Sequence, residues 1–113
     1  MKKAKFLKLR KKPKIAFIGG LDRLEQHYKE VSKSLGCELY YHNGKGKEDR
    51  IRKIVRKCDL VFCPVNINSH NACMTAKKIC KKYNKPCIFL KSSSVSSFRR
   101  VLIHSILVRP TLP

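Results

Sequence analysis

Four short apolar segments, each followed by a segment with helical periodicity, constrain the fold of this chain most strongly. The apolar segments cover residues 14–18, 37–41, 59–63 and 87–90, and the first three helical patterns cover about 22–35, 47–57 and 69–83. A serine-rich turn at residues 92–97 leads into a last helix that ends at about 107. Short strand–helix units joined by right-handed crossovers form a parallel sheet with helices on both faces. The sequence therefore predicts a small Rossmann-like or flavodoxin-like α/β fold, a three-layer sandwich around a four-stranded parallel sheet in the order 2-1-3-4.

The chain is short enough for one folded domain, which we expect at residues 14–108. Residues 1–13 form a basic arm that we expect to be mobile, and residues 109–113, with two prolines, are expected to be a frayed tail. The sequence contains no apolar run of about 18 residues, so no transmembrane helix is expected. No apolar signal-peptide core follows the basic start, and this predicts a cytoplasmic protein without a membrane partner.

The net charge is the extreme feature of the composition. Lys and Arg number 27 against 7 Asp and Glu, which gives a net charge of +20. Such a charge attracts polyanions, so one hypothesis is a protein that contacts the phosphate backbone of nucleic acid. The alternative is a basic surface that only keeps the protein soluble. The residues predicted to contact nucleic acid are Lys2, Lys3, Lys5, Lys8, Arg10, Lys11, Lys12, Arg52 and Arg56.

A ligand crevice is predicted where the strand order reverses, outside the carboxyl ends of strands one and three. Gly19 and Gly20 would open the first helix with free backbone N–H groups, which suit a small anion or a phosphate-containing ligand. Asp22 and Glu25 have the spacing of a capping box at that helix start. The alternative is that the glycines only permit a tight turn. The predicted ligand-binding residues are Gly19, Gly20, Arg23, His42, Asn43, Ser69, His70 and Lys77.

Two cysteines and a histidine flank the turn between the third strand and the third helix. Cys73 and His70 fall in the first helical turn, where the macrodipole and an adjacent imidazolium favour a thiolate. Cys73 is thus a candidate nucleophile, with His70 and Cys63 as its partners. Cys63 is also a candidate disulfide partner of Cys73. The same three residues could instead bind zinc or another thiophilic metal, with His27 or His42 as a further ligand, or the cysteines could simply pack in the core.

The chain resembles a bacterial family catalogued as domain of unknown function number 2325, over about residues 14–107. The family looks like a small Rossmann-like domain, and the resemblance implies the fold and the position of the site without an established activity. Asn43 stands where an acidic residue is expected, and the basic arm looks peculiar to this chain. The resemblance rests on Gly19-Gly20, Asp22-Arg23, His27-Tyr28, His42-Asn43-Gly44, Cys63-Pro64-Val65, Ser69-His70, Cys73, Lys77, Cys80-Lys81, Lys85-Pro86 and Ser93 through Phe98.

Three functions are compatible with these patterns. The first is a small ligand-binding or sensor domain with an anion-binding crevice and with cysteines sensitive to redox state or metal. The second is a basic nucleic-acid-binding protein, and the third is a thiol oxidoreductase that uses Cys73 as its nucleophile. The sequence does not decide whether a reaction is catalysed, and it leaves the oligomeric state open, with a dimer as one option. Cys37, Cys58, Cys80 and Cys87 lie in apolar patterns and are predicted to pack in the core.

Overall fold

The computed structural model describes residues 12–65 and 70–107, excluding the side chains of residues 70 and 71. Strands and helices alternate along the described chain. A 3₁₀ turn at Asp22–Leu24 precedes the first helix. The strands β1 to β4 are Lys14–Ile18, Glu38–His42, Leu60–Pro64 and Cys87–Leu90, and the helices α1 to α4 are Glu25–Ser34, Glu48–Lys57, His70–Tyr83 and Val95–Leu107.

The four strands form one parallel sheet in the order β2-β1-β3-β4, as predicted. β1 lies inside the sheet, where Ile15 is the register partner of both Leu39 and Leu60. β3 is buried at all five positions, which explains its continuous apolar run. The predicted order is confirmed.

The helices cover both faces of the sheet, so the three-layer architecture is also confirmed. On one face, α2 and α3 bury Val55 and Ala76 against Ala16 and Val61 of the strands. On the other face, α1 and α4 pack against the alternate residues of β1, Ile15 and Phe17. Side chains that alternate between the two sides of a strand thus build two cores on one sheet.

An aromatic cluster fills the core beneath α1 and α4. Phe17 stacks on Tyr28 with ring centroids 4.0 Å apart, and Phe98 packs edge-on against Phe17 at 5.0 Å. Burial raises the pKa of Tyr28, whose hydroxyl donates to the Ser93 carbonyl oxygen at 2.7 Å. A Cβ on Gly20 would lie 2.5 Å from Phe17 Cε1, so this position requires glycine because the two rings approach it closely.

The first helix begins three residues later than predicted, and the predicted capping box is absent. α1 begins at Glu25, and its cap makes no side-chain hydrogen bond. The Asp22 carboxylate instead accepts hydrogen bonds from the Tyr41 hydroxyl at 3.0 Å and from Asn43 Nδ2 at 3.2 Å. Contacts with the end of β2 therefore replace the local cap that the spacing indicated.

The predictions for the basic arm, except at residues 12 and 13, lie outside the described residues, as do those for Ser69 and for the tail. Within the described part of the chain, no helix combines the length and the apolar character that a membrane crossing needs.

Candidate functional site

Loops that follow β1 and β2 meet at the carboxyl edge of the sheet. The crevice was predicted at this edge, but between the loops after β1 and β3. The Gly19 N–H donates to the His42 carbonyl oxygen at 2.7 Å and is therefore already engaged within the protein. The expectation that this N–H group is free for an anion is not met. Gly19 instead holds the end of β1 against the end of β2.

Gly44 is the point of closest approach between three parts of the crevice. Its φ is +89°, a backbone conformation that favours glycine. A Cβ at this position would lie 2.8 Å from Ala72 Cβ in α3 and 3.2 Å from Gly19 Cα. The loop after β2 therefore lies directly against the first turn of α3 and the end of β1.

His42, the last residue of β2, is buried with 8% of its surface exposed. Its Nδ1 accepts a hydrogen bond from the Gly44 N–H at 2.9 Å, which places the proton of the neutral ring on Nε2. Burial, followed by the charge of Arg50, lowers the pKa of His42 from its ordinary value of 6.5. The ring is therefore neutral at physiological pH.

Protonation of His42 should destabilise the folded protein. Because the pKa is lowered on folding, the neutral ring contributes stability above the unfolded value of about 6.5, and this stability is lost as the pH falls through the folded pKa. We expect the His42→Asn variant, which keeps an acceptor for the Gly44 N–H, to lose less stability than the parent between about pH 7 and pH 5. Urea unfolding at several pH values measures this difference. Parallel pH profiles for the two proteins would contradict it.

A pocket of about 420 Å³ opens beside His42. Each acid in its wall already has a partner: Asp22 accepts from Tyr41 and Asn43, Glu25 pairs with Lys29 at 3.0 Å, and Asp49 pairs with Arg52 at 2.9 Å. Its cations, by contrast, form no ion pair within the part of the chain that the structure describes. Glu25 and Asp49 are thus neutralised by cations outside the lining, which leaves Lys45, Lys47 and Arg50 against the single carboxylate of Asp22. The pocket lining is Asp22, Glu25, Tyr41, His42, Asn43, Lys45, Gly46, Lys47, Asp49 and Arg50.

A disulfide joins Cys63 of β3 to Cys73 in the first turn of α3. The two Cα atoms are 5.9 Å apart, a usual separation for a disulfide, and both residues are buried. Of the alternatives left open for Cys63, the structure therefore contains the disulfide. Cys73 Sγ lies 3.2 Å from the Pro64 carbonyl oxygen, which would accept a hydrogen bond from the thiol after reduction.

The disulfide bears directly on the nucleophile and metal hypotheses. Neither sulfur is a thiolate while the bond is intact, so both hypotheses apply only to the reduced protein. In the described residues, no three His, Cys, Asp or Glu side chains are grouped so as to hold a metal ion. The His70 side chain was predicted for both the nucleophile and the metal site, and it is not among the side chains that the structure describes. His27, proposed as a further ligand, is exposed on α1.

Among the described residues, four predicted ligand-binding residues lie outside the pocket lining: Gly19, Gly20, Arg23 and Lys77. Arg23 is exposed on the 3₁₀ turn. Lys77 is exposed on α3 and lines a separate groove with Met74 and Lys81. The buried stripe of α3 is centred on Ala76, so Cys73 falls inside it and Lys77 falls outside. Lys77 therefore does not line the crevice, although it is only four residues from Cys73 on the same helix.

Sequence reasoning missed most of the positive wall of the pocket. Lys45, Lys47 and Arg50 follow β2, whereas the prediction concentrated on the loops after β1 and β3. The available signal was the presence of three basic residues, Lys45, Lys47 and Arg50, within seven positions after Asn43. These two residues were predicted as ligand-binding and do line the pocket.

The other four cysteines are free thiols in the structure. Burial raises the pKa of Cys37 to about 11 and that of Cys58 to about 12, as expected for thiols that pack in a core. Cys80 and Cys87 hydrogen-bond to each other, which raises the pKa of Cys80 and lowers that of Cys87. Their positions agree with the predicted packing role.

Together, the sheet order and the crevice define a small Rossmann-like α/β domain. The chain belongs to the family described as "Uncharacterized protein conserved in bacteria (DUF2325)", whose model matches residues 14–105. It is 29% identical over 87 residues to a UPF0751 protein of Desulfitobacterium hafniense (strain Y51). This match covers 74% of this chain and 85% of that protein. A UPF0751 protein of Bacillus cereus (strain AH820) is 29% identical over 63 residues, 53% of this chain and 64% of that protein.

A solved structure of a hydroxyethylthiazole kinase protein from Pyrococcus horikoshii OT3 has a similar fold. The TM-score is 0.60 at 17% sequence identity, and the match covers 95% of this chain and 43% of the kinase chain. The chain thus spans less than half of that protein. At this identity the likeness concerns the fold alone.

Proposed function

We propose that this domain binds a small anion in the pocket beside His42 and that the Cys63–Cys73 pair controls this binding through its redox state. One observation carries the proposal: the disulfide ties β3 to the first turn of α3, and Ala72, the neighbour of Cys73 in that turn, would lie 2.8 Å from a Cβ on Gly44. Gly44 in turn donates to His42, which lines the pocket. A change at Cys73 therefore has a short physical path to the ligand.

The charge of the pocket supports an anion as the ligand. The three acids of the wall are hydrogen-bonded or ion-paired, whereas Lys45, Lys47 and Arg50 form no ion pair in the described chain. Unpaired cations at the carboxyl edge of a parallel sheet suit a phosphate or a carboxylate. Tyr41 and Asn43 contribute indirectly because their hydrogen bonds fix the Asp22 carboxylate, which lines the same pocket.

The switch itself is a thiol–disulfide exchange. A dithiol reductant transfers two electrons and two protons to the Cys63–Cys73 bond, which gives two thiols and leaves the reductant as a disulfide. Reduction removes the covalent link between β3 and α3 at this point and allows the first turn of α3, with Ala72, to change its position against Gly44. Both sulfur atoms are buried, so the reductant gains access only by local opening of the structure around them.

The burial of the two sulfur atoms favours a switch over a thiol oxidoreductase. A catalytic exchange must expose its attacking sulfur in every cycle, whereas a switch needs to open only when the redox state changes. Cys73 is 5% exposed and Cys63 is fully buried. The same burial predicts slow reaction of both sulfurs with large reagents.

Titration with inorganic phosphate, followed by the amide resonances of Gly44 and Gly46, tests the proposal in the oxidised and reduced proteins. We expect oxidised protein to bind, and we expect Lys45→Gln with Arg50→Gln to weaken binding about tenfold or more, because each contact is a charge-assisted hydrogen bond. Lys91→Gln with Arg99→Gln removes the same charge outside the pocket and should leave binding nearly unchanged. Equal losses in both variants would contradict a defined anion site.

The redox dependence of phosphate binding is tested with a variant that lacks both cysteines. Reduction should change the phosphate affinity of the parent protein but not that of Cys63→Ser with Cys73→Ser. Identical phosphate affinity in the oxidised and reduced parent would contradict the redox switch but not the anion site.

A further inference from the structure

A cluster of cations lies at the amino edge of the sheet, opposite the crevice. Because each helix leads into the following strand, the last turns of α2 and α3 meet this edge, as does the start of β1. The acids of this edge are few: Glu38 accepts from the Tyr40 hydroxyl, and Asp59 accepts from the Lys14 backbone N–H. We call this cluster the cationic end, and it comprises Lys14, Arg56, Lys57, Lys81, Lys82 and Lys85.

The cations of two helices converge at the cationic end. α2 and α3 pack on the same face of the sheet, and Tyr83 lies between their last turns. Arg56 Cζ is 5.4 Å from the centre of the Tyr83 ring, and Lys82 Nζ is 5.7 Å from the same ring. A second pair repeats the arrangement, with Lys57 Nζ 4.6 Å from the centre of the Tyr40 ring. The aromatic rings thus hold positive groups from separate elements in one area.

These cations form no ion pair within residues 12–65 and 70–107. Arg52, which was predicted to contact nucleic acid, differs from them because Glu48 and Asp49 both bind its guanidinium at 2.9 Å. Arg56 remains available. The structure therefore separates the two arginines that the sequence grouped together.

Complementarity to the helix dipole explains only part of this arrangement. Basic residues in the last turn of a helix stabilise it, and this accounts for Arg56, Lys57, Lys81 and Lys82 without a partner molecule. Lys85 Nζ donates to the Cys58 carbonyl oxygen at the end of α2 at 2.8 Å, so it also has a structural role. Neither reason accounts for Lys14, which begins β1. The basic arm also joins the fold here, since the Glu38 N–H donates to the Pro13 carbonyl oxygen at 2.9 Å.

We infer that the cationic end binds the phosphate backbone of nucleic acid, at a site separate from the crevice. Nucleic acid has a dense, regular series of phosphates that complements cations spread over several elements. Backbone contacts of this kind give affinity with little sequence preference. This inference does not depend on the redox proposal, which concerns the opposite edge of the sheet.

Fluorescence anisotropy of the full chain with a labelled duplex DNA of about 20 base pairs, measured at several salt concentrations, tests the inference. The test variant is Arg56→Gln with Lys81→Gln and Lys82→Gln. The matched control, Lys91→Gln with Arg99→Gln and Arg100→Gln, removes the same charge from exposed residues at the opposite edge and on α4. Thermal unfolding of both variants verifies that they fold.

Each phosphate contact contributes about 0.9 to the slope of log K against log salt, so the test variant should reduce the slope by about 2 to 3. The control should reduce it by less than about 1, and deletion of residues 2–11 should weaken binding by itself. Equal effects of the two variants, or no DNA binding at low salt, would overturn the inference. It would also be overturned by tighter binding to phosphatidylglycerol vesicles than to DNA, lost in the test variant, because that result assigns the surface to a membrane.

Discussion

Replacement of Gly44 by alanine is expected to lower the free energy of unfolding by about 2–5 kcal/mol. Two costs add at this position. A positive φ of +89° is unfavourable for a residue with a side chain, by roughly 1–2 kcal/mol. The new Cβ would also lie 2.8 Å from Ala72 Cβ, and overpacking of this kind costs about 1–3 kcal/mol.

Gly46→Ala provides a matched control two residues away. Gly46 has a similar φ of +93°, but nothing lies within 4 Å of a Cβ placed there. This variant should therefore show only the conformational cost of roughly 1–2 kcal/mol. Urea unfolding of the two variants measures the difference, which isolates the contact between the loop after β2 and α3. Equal destabilisation would contradict the close approach of Gly44 to Ala72, and with it the path from the disulfide to the pocket.

Reduction of the Cys63–Cys73 disulfide is expected to lower the midpoint of thermal unfolding by roughly 10 °C. The bond connects residues ten apart, and the loss of a cross-link of this length costs about 2.5–3 kcal/mol through the entropy of the unfolded chain. In a domain of this size, about 1 kcal/mol corresponds to a shift of about 4 °C. Calorimetry with and without a dithiol reductant measures the change.

The variant Cys63→Ala with Cys73→Ala supplies the control for that experiment. Its unfolding midpoint should not respond to the reductant, because the four cysteines that remain are free thiols. A decrease equal to that of the parent protein would show that the reductant acts elsewhere, and the assigned role of the disulfide would then be wrong.

The fold could be predicted because the physical signals for it are local and redundant. Apolar strands that alternate with helices allow few arrangements, and the handedness of the crossovers leaves the order β2-β1-β3-β4 as the natural one. The helix start at Asp22 could not be predicted in the same way. Its carboxylate binds Tyr41 and Asn43, which lie about 20 positions away, so a tertiary contact overrides the local capping pattern.

The sequence predicted the edge of the sheet that carries the pocket and two of its lining residues, His42 and Asn43. It placed the crevice between the loops after β1 and β3, whereas the pocket lies between the loops after β1 and β2. The positive wall depends on how the loop after β2 folds back, and nothing in the spacing of Lys45 and Arg50 specified that. The Cys63–Cys73 bond remained one of several options because a separation of ten residues fits a disulfide, a metal site or simple packing.

The state of the six cysteines in the native protein tests the central claim most directly. Protein purified without reductant is denatured and alkylated, and its intact mass is measured before and after reduction. The account predicts four alkylated cysteines before reduction and six after it. The two that are alkylated only after reduction should be Cys63 and Cys73. Six alkylated cysteines before reduction would contradict the disulfide and the redox control proposed for the crevice.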